Sequence, residues 1–217
     1  AIEVGGTLSV TNSGTSAITG AITGDTALTK AGAGELTVSG SNTFTGDTTL
    51  SAGTLFGGAD GGTKDSFGTG AITVASGATL KIDDVTNGAL TNALTLNGGT
   101  LYSTGDSASY YDGNITLGDH STFRNDNNFF IDGVISGSSK NLVKTGIGTL
   151  NLRGTNTYTG STTISSGGLN ISGSGKLGNG SYSGTISNSG SFTYASSATQ
   201  TLSGVISGSG SLTADGN

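Results

Sequence analysis

The chain repeats itself at long range. Residues 28–55 read LTKAGAGELTVSGSNTFTGDTTLSAGTL and residues 142–169 read LVKTGIGTLNLRGTNTYTGSTTISSGGL, and the two align without a gap at an offset of 114. Identical pairs run from Leu28 and Leu142 through Lys30 and Lys144, Gly32 and Gly146, Gly34 and Gly148, Asn42 and Asn156, to Leu55 and Leu169. A shorter element precedes each copy, Gly20-Ala21-Ile22-Thr23-Gly24 and Gly133-Val134-Ile135-Ser136-Gly137. It returns at Gly204-Val205-Ile206-Ser207-Gly208, followed by Leu212, and a truncated third copy from about 204 would end at Gly216-Asn217. Repeats of this kind bury their apolar positions only by stacking on one another.

Within the copies, Leu36-Thr37-Val38, Leu150-Asn151-Leu152 and Leu169-Asn170-Ile171 alternate with the period of two that marks a strand. Glycines every few residues mark turns, and no stretch holds a 3.6-residue period. Leu28 and Leu50, Leu142 and Ile164, and Ile22 and Phe44 are each 22 residues apart. A coil of about twenty residues would stack each pair in one interior column, with neighbouring coils paired in parallel ~4.8 Å apart. The expected fold is therefore all-β, a parallel β-helix of roughly ten coils forming one domain over residues 1–217. The complete absence of proline fits a continuous ladder, because each proline removes a donor. The regular apolar positions separate this glycine-rich chain, with 41 glycines, from low-complexity disorder.

The pattern Leu-x-Lys-x-Gly-x-Gly-x-Leu, continued by Gly-x-Asn-Thr-[Phe/Tyr]-Thr-Gly-x-Thr-Thr-[Leu/Ile]-Ser-x-Gly-x-Leu, resembles the autotransporter-associated β-strand repeat of type V-secreted passenger domains. The segments Gly68-Thr69-Gly70-Ala71-Ile72-Thr73-Val74 and Leu94-Thr95-Leu96-Asn97-Gly98-Gly99-Thr100-Leu101 are similar in style. The resemblance implies a right-handed β-helix, export through the outer membrane, and display at or release from the bacterial cell surface. It does not imply an activity, because the repeat is scaffold. The translocator barrel, signal peptide and any appended catalytic domain of such proteins are not seen in these residues, so a fragment of a longer protein is expected.

Charge narrows the partners. Net charge is −6, and the eight basic residues (Lys30, Lys64, Lys81, Arg124, Lys140, Lys144, Arg153 and Lys176) are scattered. Nucleic acid and anionic membrane surfaces need clustered cations, so neither is an expected partner. No run approaches the roughly twenty apolar residues of a membrane helix. There is no cysteine and a single histidine, so no zinc set exists, and the nine-residue calcium repeat is missing; no metal and no cofactor is expected.

Candidate sites are few. Asn42 and Asn156 read as corner asparagines that hydrogen-bond their own turn, and Phe44 and Tyr158 as packing residues and not sugar platforms. Lys30 and Lys144 read as solvated edge charges that discourage aggregation. The stretch 102–132 departs from the repeats, and its binding candidates are Tyr110, Tyr111, Asp112, Asp119, His120 and Asp126. Gly105-Asp106-Ser107 with His120 has the composition of a serine nucleophile and base but lacks the flanking glycines. A glycosidase pair needs carboxylates about 5–9 Å apart. The sevenfold steps of Asp112, Asp119 and Asp126 do not match the coil, and Asp83 and Asp84 would point to opposite faces. An ice-binding face would need a Thr-x-Thr column on consecutive coils, whereas Thr48-Thr49 and Thr162-Thr163 lie 114 residues apart.

The expected function is non-enzymatic: a β-helical stalk segment of a secreted, surface-displayed autotransporter-like passenger, serving adhesion or an extracellular matrix, that meets a ligand on a host or neighbouring cell, or its own kind. The alternatives are a fibre stacked head to tail, with Gly6-Thr7-Leu8-Ser9-Val10 completing the third copy, and a polysaccharide-active enzyme.

Overall fold

A computed structural model describes residues 1–3, 5–57, 66–83 and 89–215. Lys64, Asp84 and the Gly216-Asn217 end lie outside the described residues. Among the described residues all regular structure is strand apart from one 3-10 turn at Gly178–Gly180, and the named strands pair in parallel, with one isolated antiparallel bridge between Ala75 and Gly98.

The chain winds over three faces in a fixed order. Face 1 carries Ile2–Glu3 paired with Ile22–Thr23 and, farther along, the six-stranded sheet that opens at Ser109–Tyr111 and ends at Ser211–Ala214. Face 2 is the seven-stranded sheet from Thr7–Val10 to Ile135–Ser136. Face 3 is the ten-stranded sheet from Ser16–Ile18 to Ile206–Ser207, so ten rungs and nine coil-to-coil steps lie along it. The expected β-helix of about ten coils is what the chain forms.

Alternation in each strand sends one set of side chains inward, where like meets like on the next coil. On face 3, Leu36, Leu55, Leu80, Leu101 and Phe123 stand in register, all buried. Each such side chain contributes about 1.5–3 kcal/mol by leaving water. The coil is elastic in length: Leu36 pairs with Leu55, 19 residues on, and Leu55 with Leu80, 25 on. The face 3 rungs keep register across both steps.

One expectation is corrected. Leu28 pairs with Thr48, and Lys30 with Leu50; likewise Leu142 pairs with Thr162, and Lys144 with Ile164. The step within each copy is 20 residues, not 22, and the Asn42 side chain, not Phe44, meets the Ile22 backbone. The leucines recur at 22 because they lie two places apart along adjacent strands of one face.

The copies also do not occupy equivalent faces. Ala27–Lys30 and Glu35–Val38 lie on faces 2 and 3, whereas Leu142–Thr145 and Thr149–Leu152 lie on faces 3 and 1. The short element advances in the same way: Ile22 is on face 1, Ile135 on face 2 and Ile206 on face 3. The repeat therefore specifies a strand–corner–strand unit that two different corners of the coil accept.

The corner glycines allow coils to approach. A Cβ on Gly148 would sit 1.9 Å from the Asn127 carbonyl oxygen, and one on Gly34 2.0 Å from that of Gly14. Around Gly14 a Cβ would meet nothing within 4 Å. Gly148→Ala is expected to destabilise by at least about 2 kcal/mol, and Gly14→Ala by less than about 0.5 kcal/mol, in urea unfolding followed by circular dichroism. Equal midpoints for the two variants would contradict this packing.

Candidate functional site

Each long copy places a lysine, an asparagine and an aromatic ring at its corners, and the two copies use them alike. Lys30 stands between Val10 and Leu50 on face 2, and Lys144 between Phe123 and Ile164 on face 3. Both are fully buried, which corrects their reading as solvated edge charges. Strand alternation puts the residue two places after Leu28 or Leu142 on the inner side. The Lys144 ammonium donates to the carbonyls of Thr145 (2.7 Å), Gly146 (3.0 Å) and Ser166 (3.3 Å), which matches its three donors to three acceptors. Lys30 donates to Gly32 and to Ala52, the counterpart of Ser166 on the coil above. Loss of hydration lowers the Lys30 ammonium below its ordinary pKa, and takes that of Lys144 down to about 8 against the opposing pull of Asp126.

Asn42 accepts the Ile22 amide (2.7 Å) and donates to Gly40 and Ser66 carbonyls (2.8 Å each). Asn156 accepts from Ile135 (2.9 Å) and donates to Gly154 (2.9 Å) and Lys176 (3.1 Å). Each thus bridges the coil below, its own turn and the coil above. Phe44 and Tyr158 are buried, with Tyr158 hydrogen-bonded to Thr162 at 2.8 Å and edge-on to Tyr182. These groups belong to the interior and present nothing to a ligand.

The stretch 102–132 divides among three corners. Seven residues are a third of a coil, so Asp112 falls between faces 1 and 2, Asp119 between faces 2 and 3, and Asp126 between faces 3 and 1. The three carboxylates do not converge. Tyr111 is interior and donates to the Asn92 carbonyl at 2.9 Å, which removes it from the ligand-facing set. His120 lies beside Asp119 and accepts the Asn141 amide at 2.9 Å, while Ser107 lies at the face 3 to face 1 corner, so these two are not brought together. Asp119 accepts the His120 amide and pairs with Lys140 (3.3 Å), which together lower its pKa. Asp112 is held above the usual carboxylate range by desolvation and by Asp132 on the next coil, with Arg153 opposing.

Outward rows organise the rest. Tyr110 stacks on Phe130 (centroids 5.0 Å, planes 11° apart), and Arg153, bound to Asp132 through two contacts, lies 4.8 Å from the Phe130 ring. On face 3, Phe56, Lys81, Tyr102 and Arg124 alternate over four coils, with Lys81 over Phe56 at 4.1 Å and Arg124 over Tyr102 at 4.2 Å. Ring faces are largely occupied within these rows, leaving mainly edges outward. Face 2 holds an unbroken outward column, Ser9, Thr29, Thr49, Thr73, Thr95, Thr116 and Ser136. The sequence signal of this column is the period-two triplet, as in Ile72-Thr73-Val74 and Leu94-Thr95-Leu96, and not the adjacent Thr-Thr pair. Its neighbours two places on are Ala31, Ser51, Ala75 and Asn97, so no Thr-x-Thr face forms there. Among the described residues no group of three or more His, Cys, Asp or Glu is arranged to hold a metal, and no helix is long and apolar enough to cross a membrane.

Comparison with known proteins places these corners. The Passenger-associated-transport-repeat matches residues 28–55 and 142–171, the two ranges that hold Lys30 and Lys144. The chain is 36% identical over 169 residues to the Adhesin BmaC autotransporter of Brucella suis biovar 1 (strain 1330). The match covers 75% of this chain and 4% of that protein, so the chain spans a small part of the relative's length. No solved structure matches the chain.

The buried lysine has a pH signature. With the folded pKa of Lys144 near 8 and an unfolded value of about 10.4, the unfolded state binds more protons between them, so stability rises with pH across that window. Above about pH 10 the buried Tyr111, Tyr158 and Tyr182, whose pKa values are raised by desolvation, reverse the trend. Urea unfolding of the wild type between pH 7.5 and about 9.5 is expected to show this rise, and Lys144→Met to flatten it. Parallel pH profiles for the two proteins would count against the buried ammonium.

Proposed function

We propose, from the premise that this chain is a segment of a surface-exported autotransporter passenger bearing two passenger-associated transport repeats, that it forms a rigid length of an adhesive rod. The observation that carries this is the alignment of 169 residues with a stretch of a protein named as an adhesin. The division of labour along each strand supports it. Inward leucines, caged lysines and corner asparagines hold the coil, while the outward row of face 3 changes from Phe56 through Lys81 and Tyr102 to Arg124 on successive coils without a break in the stack. Adhesion from such a rod works by repeated weak contacts, with avidity from many copies on one cell.

A non-enzymatic role belongs to the same proposal. Asp112, Asp119 and Asp126 occupy three separate corners, and Ser107 and His120 two different ones, so neither the sugar-cleaving nor the serine-nucleophile arrangement gains support.

Microspheres coated with the purified chain should attach to host-cell monolayers well above albumin-coated spheres, and excess soluble chain should compete the attachment away. Attachment no greater than that of albumin spheres would reject the adhesive role for this segment.

A further inference from the structure

At the corner between faces 3 and 1 the body opens into a trough of about 420 Å³ running along three coils. Its origin is a difference in corner length. Four residues, Gly105–Ala108, join the strands Thr100–Thr104 and Ser109–Tyr111, whereas three residues turn the same corner on each of the next two coils. The longer loop forms one wall. The other is Ile147, 82% exposed, at the place where the first copy has Ala33. Asp126, Asn127 and Asn128 make the floor.

The floor is held in place. Asp126 accepts the Tyr102 hydroxyl at 2.6 Å. Asn127 accepts from Ser103 (3.0 Å) and donates to the carbonyls of Thr104 (2.8 Å) and Ser107, which ties the projecting loop to the next coil. The rim is unspent: among the described residues the side chains of Asp106, Asn128 and Thr149 have no hydrogen-bond or ion-pair partner. A fixed floor, an unengaged polar rim and one exposed aliphatic side chain are the parts of a small-ligand site.

We propose that this trough binds an uncharged saccharide, about one or two pyranose rings of a surface glycan. The proposal deepens the adhesive role and rests on it. A pyranose offers an apolar C–H face, which suits Ile147, and hydroxyls around its edge, which suit carboxylate, amide and hydroxyl partners at Asp106, Asn128 and Thr149. Charge selects among glycans. Asp106 and Asp126 repel sialic and uronic acids, Arg124 is already engaged with Asp126 (3.6 Å) and the Tyr102 ring, and the buried Lys144 ammonium beneath the same corner is spent on three carbonyls. The volume suits a short segment and not a long chain, so affinity per site is weak and retention depends on multiple copies.

The test uses the full chain, fluorescently labelled and multimerised, on an array of neutral and acidic oligosaccharides, beside three variants checked for unchanged circular dichroism. Ile147→Ala reproduces the side chain of the first copy, Asp106→Ala removes an exposed carboxylate, and Thr49→Ala is a control on face 2. The wild type and Thr49→Ala are expected to retain neutral glycans, and Ile147→Ala and Asp106→Ala to lose about tenfold. An array with no neutral glycan above background, a preference for acidic glycans, or retention unchanged in both trough variants would overturn the proposal. The outcome separates from the adhesive role itself: coated spheres that still attach to cells while the array fails reject the trough alone, and spheres that do not attach reject the adhesive role.

Discussion

Everything in this molecule depends on one spacing, that of a strand on one coil paired in parallel with its counterpart on the next. The pairing spends the backbone donors and acceptors between coils, and it sets each inward side chain over its like, as in the column from Leu36 through Leu55 and Leu80 to Leu101. A chain with 10% charged residues and no disulfide achieves a buried core this way because every coil between the first and the last is covered on two sides. Glycine at the corners is the condition for that approach, since a side chain on Gly34 or Gly148 would collide with the coil below.

A stack of similar strands invites slippage, because a two-residue slip still sets apolar on apolar. The repeats carry groups that such a slip would leave unsatisfied. Lys144 has its ammonium matched to carbonyls of its own corner and the coil above, and Asn156 reaches the coil below, its own turn and the coil above at once. Displacing either by two residues would strand a buried charge or amide, at a cost of several kcal/mol. The same devices recur in the first copy on different faces, so the lock belongs to the corner and not to any one sheet.

Much of this was legible in the sequence. Period-two triplets, glycine spacing and the offset of 114 are local or self-referential signals, and they lead to strands, corners and a solenoid. Register was harder, because Leu28 and Leu50 invite pairing by identity although Leu28 in fact meets Thr48. The lysines were misread for a physical reason: composition treats lysine as solvent-seeking, and only the strand's alternation, applied strictly, puts Lys30 and Lys144 inside. The candidate stretch 102–132 was recognisable as different from the repeats, but its acids scatter over three corners once seven residues are known to be a third of a coil. The trough was invisible because it arises from one extra loop residue opposite an isoleucine more than a coil away.

The register is open to direct measurement, because the chain has no cysteine of its own. Thr29 and Thr49 are outward partners on adjacent coils of face 2, and Ser51 lies two places farther along. Parallel partners about 4.8 Å apart fall within disulfide range, whereas the diagonal of about 8 Å does not. Under mild oxidation the double variant Thr29→Cys with Thr49→Cys should close an intramolecular disulfide, seen as a shift on non-reducing gels, and Thr29→Cys with Ser51→Cys should remain reduced. Efficient closure of the second pair, or of neither, would contradict the stacked coil described above.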